Sequence, residues 1–155
     1  MYVVKNILFP VDLSLTSEKL APFAKAMAER FEARLHLLFV ARVFEYFKSI
    51  YVPHPSINKF EAEIVEGARR RIVEFKESFF DHLPETRTEV VAGDIADEII
   101  RYIGGHDIDL VVMGTHGRKG LERTIFGSVA ERVIKIIPVP VLMVNPYRAV
   151  AKLTR

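Results

Sequence analysis

The chain contains no cysteine. Disulfides, thiol catalysis and cysteine-based zinc or iron–sulfur sites are excluded with it, and a reducing cytoplasm is the expected compartment. No apolar run approaches the roughly 18 residues needed to span a bilayer, so no membrane association is expected. The N-terminus lacks the features of a signal peptide: Lys5 and Asp12 bracket too short an apolar stretch, and no small-residue cleavage site follows. Excess charge of one sign is also missing. The 22 basic and 20 acidic residues leave a net charge of +2, whereas nucleic-acid binding calls for clustered positive charge. There is no Gly-x4-Gly-Lys-[Ser/Thr] phosphate loop and no Gly-x-Ser-x-Gly nucleophile elbow. No two histidines share one helix at zinc spacing, and no repeat, linker or low-complexity segment interrupts the chain.

What is present reads as one globular domain over residues 1–155, half hydrophobic and 27% charged. The first apolar run, Val3 to Val11, is short and branched, as suits a buried parallel strand. A helix follows with apolar or small residues at Leu20, Phe23, Ala24, Met27, Ala28 and Phe31, the rhythm of one buried face. Ser14 or Ser17 is its expected N-cap. Pro22 conflicts with a start at Ser14, because it removes a helical hydrogen bond; a 3₁₀ first turn or a later start would relieve this.

Leu35 to Val40 is the second strand. Residues 42–55 form a long connection without a clear period, containing Phe44, Tyr46, Phe47 and Tyr51. Ser56 is placed to cap the next helix, which reaches Phe80 with Ile57, Phe60, Ile64, Ala68, Ile72, Phe75 and Phe79 as its apolar positions. Arg69, Arg70 and Arg71 are expected on its solvated face, paired with Glu66 and Glu74. Thr86 to Ala92 is the most polar strand and so an expected sheet edge. Asp94 can cap a helix that Gly104-Gly105 stops. Leu110 to Met113 is a further buried strand. A glycine-bearing loop then leads to a helix beginning near Ser128 and ending before Pro138. Val139 to Val144 is the last strand. The order βαβαβαβαβ predicts an α/β fold, a parallel sheet with helices on both faces.

In such sheets ligands bind beyond the carboxyl ends of strands. Asp12 stands at the end of the first strand. Gly114-Thr115-His116-Gly117-Arg118-Lys119-Gly120 follows the fourth and continues to Gly127-Ser128-Val129 at the start of a helix. Glycines let main chain approach phosphate closely, and a helix N-terminus supplies free N–H groups with a partial positive charge. Ser128 adds a hydroxyl; Arg118 and Lys119 add cations. Together these form an expected phosphate cradle, although each glycine alone reads more readily as a turn or helix-entry residue. Asp12 reads as a ligand contact or as a turn residue. His116 reads as a phosphate donor, a proton shuttle or a solvent-facing loop residue. His36, in mid-strand, reads as a packed core residue, and His54, His82 and His106 show no ligand spacing.

The spacing Gly114-x2-Gly117-x9-Gly127-Ser128 resembles the signature of the ATP-binding branch of the universal stress protein family. The likeness extends to Lys5-Asn6-Ile7-Leu8-Phe9-Pro10-Val11-Asp12-x-Ser14, to the strand ending at Val40, and to Pro138-Val139-Pro140-Val141-Leu142-Met143-Val144. It implies a single Rossmann-like domain of the adenine nucleotide alpha hydrolase-like kind, with a five-stranded parallel sheet in the order 3-2-1-4-5. The 42–55 connection is variable in the family, and 145–155 forms a C-terminal tail.

The resemblance further implies a stress-response module that binds ATP, ADP or AMP. Main chain at Pro10 and Val40 would line the adenine, Asp12 would meet the nucleoside at ribose or base, and Val11, Met113, Thr115 and His116 count among the nucleotide-binding residues. Gly114, Gly117, Arg118, Gly127, Ser128 and Val129 would hold ribose and phosphates, commonly with a divalent cation, Mg²⁺ or Mn²⁺. Phe39 stands where the family often has His. Family members commonly dimerise through the last strand, and the uncharged run 139–144 makes that expectation here too. No well-placed general base is seen near the loop, whose nearest glutamates are Glu122 and Glu131. Binding is therefore expected rather than catalysis, with slow ATP hydrolysis in the same pocket as the alternative. A phospho-receiver reading fails for want of an acidic pair after the first strand and because the last strand ends in Asn145. A flavodoxin-type reading fails because Asp12-Leu13-Ser14 is a poor hydroxyl-rich phosphate loop.

Overall fold

The computed structural model describes residues 1–42, 55–116 and 128–148. Along the chain run β1 (Asn6–Pro10), α1 (Leu15–Phe31), β2 (Arg34–Arg42), α2 (Pro55–Phe80), β3 (Arg87–Gly93), α3 (Ile95–Gly105), β4 (Leu110–Gly114), α4 (Ser128–Ile136) and β5 (Val141–Val144). The strands form one parallel sheet in the order β3-β2-β1-β4-β5. The expected layout is therefore observed, with the polar strand β3 at one edge.

The pleat divides the core between two faces. Ile7, Phe9, Leu35, Leu37, Val90 and Val112 face α1 and α2, where Phe9 meets Phe75 and Phe80. Leu8, Leu38, Val40, Val111 and Met113 face α3 and α4. At the amino end of the sheet, Asp109 Oδ2 accepts from the first residue of β1 and the one before it: the Lys5 and Asn6 amides donate to it at 2.8 and 2.9 Å. That clamps β1 to the entry of β4.

Several local expectations are corrected. β1 and β5 are shorter at their amino ends than the apolar runs, because Val3 to Lys5 and Val139 to Pro140 lie outside the ladder. Helix α1 keeps the start at Ser14, whose side chain accepts from the Thr16 amide, and carries Pro22 inside it. Pro22 is exposed, so the helical hydrogen bond it removes is lost where water can replace it. Ser17 is buried within the first turn and is not the cap. Ser56 is likewise no cap; α2 already begins at Pro55, a favoured first helical residue because its missing N–H would have no helical partner there. Gly104 and Gly105 belong to the last turn of α3, and the left-handed residue that follows is Asp107, φ 49°.

Helix α2 also departs from its expected faces. Ala68, Ile72 and Phe75 are buried, but Phe60 and Ile64 are exposed. A helix of 26 residues runs about 39 Å, longer than the seven residues of β3 can cover at about 3.3 Å each. Its first turns overhang the sheet. The Arg69–Arg71 run is not simply a solvated face either, since Arg71 Nη2 donates to the Leu13 carbonyl at 3.0 Å.

Candidate functional site

β1 feeds α1 on one face of the sheet, while β4 feeds α4 on the other. The crevice beyond the carboxyl ends of these two neighbouring strands is where an open α/β sheet can receive a ligand.

β1 ends at Pro10, and the Val11 amide makes the last rung by donating to the Leu38 carbonyl at 2.9 Å. Val11 itself is buried toward α1. In a parallel strand every second residue directs its N–H and C=O to the same neighbour. Leu38 points to β1, so Val40, two residues on, aims both backbone groups to the β1 side beyond the last rung. Its side chain and that of Met113, 8% and 7% exposed, lie together on the α3–α4 face. Val129 of α4 packs against the same cluster. The result is an apolar floor beside a backbone donor–acceptor pair that makes no backbone hydrogen bond to β1 among the described residues. Phe39 points to the opposite face, among the residues packed toward α1 and α2.

Asp12 stands on the next turn, half-buried. Its Oδ1 accepts from the Ser14 amide at 3.0 Å, the Ser14 hydroxyl at 2.6 Å and the Ser17 hydroxyl at 2.7 Å. The turn and ligand readings of this residue are compatible, because the turn contacts occupy only one oxygen.

On the other side, Gly114 closes β4 against Val144, and the Thr115 amide donates to the Val144 carbonyl at 2.9 Å. A Cβ on Gly114 would lie 2.7 Å from Leu20 Cδ1 and 3.1 Å from the His116 carbonyl, so any side chain here requires Leu20 of α1 to shift. Thr115 Oγ1 lies 2.8 Å from His116 Nδ1. The His116 ring meets Tyr147 edge-on at 5.2 Å, with Lys19 Nζ 5.2 Å above that tyrosine. His116 is thus half-buried against the segment after β5 rather than a freely solvated loop side chain. Ser128 is exposed at the first turn of α4. Gly117, Arg118, Lys119, Gly120, Glu122 and Gly127 lie outside the described residues.

Two features escaped the sequence reading. Arg132, one turn into α4, donates to Asp94 Oδ1 and Oδ2 at 3.1 and 3.0 Å and to Asp97 Oδ1 at 3.2 Å, tying the amino ends of α3 and α4 together. The Asp97 amide, aided by Arg132, holds the Asp94 carboxyl below its usual range. Lys135 similarly holds exposed Glu131 below its usual range through a 2.8 Å ion pair. Among the described residues no three His, Asp or Glu side chains gather to hold a metal ion, and no helix is long and apolar enough to cross a membrane.

The second missed feature is Ser17. A signal for it existed, since Ser17 continues the buried stripe of Leu20, Ala21, Ala24 and Ala28, where a hydroxyl must find partners.

Comparison with known proteins agrees with the fold. The family model described as "Universal stress protein family" matches residues 4–145. Universal stress protein MJ0531 of Methanocaldococcus jannaschii is 35% identical over 144 residues, which cover 91% of this chain and 82% of that protein. The solved structure of protein MJ0577, from the same organism, superposes with a TM-score of 0.80 at 30% identity, covering 94% of this chain and 96% of that one. A universal stress protein solved in complex with cAMP has the same fold, with a TM-score of 0.59 at 19% identity over 93% of this chain and 98% of that one.

Proposed function

The chain belongs to the universal stress protein family, and on that premise we propose that it is a cytoplasmic, stress-responsive module that binds an adenine nucleotide, ATP, ADP or AMP, between the carboxyl ends of β1 and β4. The observation that carries this reading is Val40: one backbone donor and one acceptor directed past the last β1 rung, beside the buried side chains of Val40 and Met113. A flat base with an adjacent acceptor and donor fits that pair, and adenine offers N1 to accept from the Val40 N–H and its N6 amino group to donate to the Val40 carbonyl.

The other roles follow from position. Pro10 and Val11 border the base. Asp12 meets the ribose through its second carboxylate oxygen. Gly114, Thr115 and His116 lead the chain toward the phosphates, which Gly117, Arg118, Gly127, Ser128 and Val129 receive at the amino end of α4. A divalent cation, Mg²⁺ or Mn²⁺, would be held by the phosphates and water, since the described residues offer no cluster for it. Binding is favoured over slow hydrolysis because the acidic residues at the start of α3 and on α4 are engaged, Asp94 and Asp97 by Arg132 and Glu131 by Lys135. Mass spectrometry of the denatured, purified protein identifies any nucleotide it carries. Titration with ATP and GTP tests the base: guanine reverses the donor–acceptor edge and leaves two groups mismatched, at about 1–3 kcal/mol each. Equal affinity for the two would sink the Val40 assignment.

We also propose a homodimer through β5. One side of that strand is taken by its ladder: the Pro140 and Val144 carbonyls accept from β4 and its following residue, so Val141 and Met143 direct their N–H and C=O outward. An uncharged edge of this kind is usually covered, and pairing with a second copy about a two-fold axis closes it.

A further inference from the structure

The turn from β1 to α1 is organised around a buried hydroxyl. Ser17 is 3% exposed. Its Oγ donates to Asp12 Oδ1 at 2.7 Å and accepts from the Asp12 and Leu13 amides at 2.9 and 3.2 Å. Leu13 sits between them in the left-handed region, φ 59°, which side-chain-bearing residues seldom adopt. From the far side, Arg71 of α2 donates to the Leu13 carbonyl at 3.0 Å. The unfavourable backbone conformation is thus pinned at both the N–H and the C=O of one residue, and such strain persists only where the surroundings over-determine it.

The carboxylate is held asymmetrically. Oδ1 takes three donors, from Ser14 N, Ser14 Oγ and Ser17 Oγ. Among the described residues nothing hydrogen-bonds to Oδ2. A carboxylate with one oxygen saturated and the other vacant is fixed in orientation without being neutralised, as a pre-organised ligand acceptor should be. Ser14 alone would not achieve this, because it lies on the same turn as Asp12 and also serves as the α1 cap. Ser17 belongs to the buried face of α1 and anchors the turn to the core.

We propose that Ser17 is the positioning residue of the nucleotide site: its buried hydroxyl holds the strained Asp12–Leu13 turn so that the free oxygen of Asp12 is presented to the crevice. This rests on the adenine-nucleotide reading above, and its test separates the two. Calorimetric titration with ATP is carried out on the wild type, Ser17→Ala, Asp12→Ala and the double variant, each checked for an intact thermal transition. Amide hydrogen exchange at Asp12 and Leu13 is measured on the nucleotide-free wild type and Ser17→Ala.

Ser17→Ala is expected to weaken ATP binding about tenfold, the effect of one hydrogen bond to a charged group. In the Asp12→Ala background the same change is expected to have no further effect. Both amides are expected to lose protection in Ser17→Ala. Unchanged affinity in Ser17→Ala, or an equal loss with and without Asp12, overturns the proposal. If the wild type does not bind ATP, the nucleotide reading falls by itself. The exchange data then decide whether Ser17 holds the turn, and unaltered protection overturns that as well.

Discussion

The Tyr102 hydroxyl stands 2.9 Å from Nδ1 of His36, inside the core between β2 and α3. Tyr102 in turn stacks flat on His106, with ring centroids 3.7 Å apart. Burial pushes the Tyr102 hydroxyl up to about 12, so it remains a donor, and His36 accepts at Nδ1 while Nε2–H faces Asn6 Oδ1 at 3.4 Å. A neutral histidine is satisfied there. A charged one is not: burial first, then Arg87, His106 and Arg34, lower its pKa from 6.5 to about 4. The packed reading of His36 is therefore correct, and it carries a consequence for stability.

In the unfolded chain His36 takes up its proton near 6.5, and in the folded protein only near 4. Between those values the unfolded state binds more protons, so stability rises with pH across the window. The contribution is complete above 6.5 and is lost on acidification, by about 3 kcal/mol at pH 4. Urea denaturation from pH 7 to pH 4 should show this slope, and His36→Gln should flatten it. An unchanged slope in the variant would assign the acid sensitivity elsewhere.

Gly114→Ala should destabilise the fold by about 1–3 kcal/mol, the usual penalty of overpacking. The new methyl meets Leu20 at 2.7 Å and the His116 carbonyl at 3.1 Å. Leu20 is 4% exposed and has little room to retreat. A denaturation midpoint equal to the wild type would show that α1 yields at no cost.

Gly127→Val should abolish ATP binding while leaving the thermal transition nearly unchanged. Its side chain would occupy the space in which main chain approaches phosphate at the amino end of α4. Unchanged ATP affinity by calorimetry would remove the phosphate cradle from this loop.

The chain should sediment as a dimer at micromolar concentration, and Met143→Lys should shift it to monomer without unfolding it. The outward backbone groups of β5 belong to Val141 and Met143, and the preceding helix leaves Ile134 and Ile136 exposed. A monomeric wild type, or a dimer indifferent to the lysine, would exclude this interface.

Much of this was legible because it is local. Periodicity alone separated the buried strands from the helices, and Asp94 and Ser14 announced their helix starts, since a cap bonds to amides only two or three residues away. The polar edge strand announced itself because an edge buries less of its surface. Asp12 and the glycine loop after β4 could be singled out because strand ends and ligand crevices coincide in parallel sheets.

Other features depend on partners far along the chain. Arg71 looked like one of three surface arginines until α2 was laid against the β1–α1 turn, 58 residues away in sequence. Arg132 met Asp94 across 38 residues, and Tyr102 met His36 across 66. Ser17 is one of two cap candidates in the sequence, and its place on the buried side of α1 assigns its hydroxyl to Asp12. Composition and periodicity determine the order and type of the elements and most of the core positions within them, because those are short-range demands of the backbone and of water. Which polar side chains meet inside, and which oxygen of Asp12 is left free, is decided only when the helices close over the sheet, because each such contact needs two distant segments brought within about 3 Å.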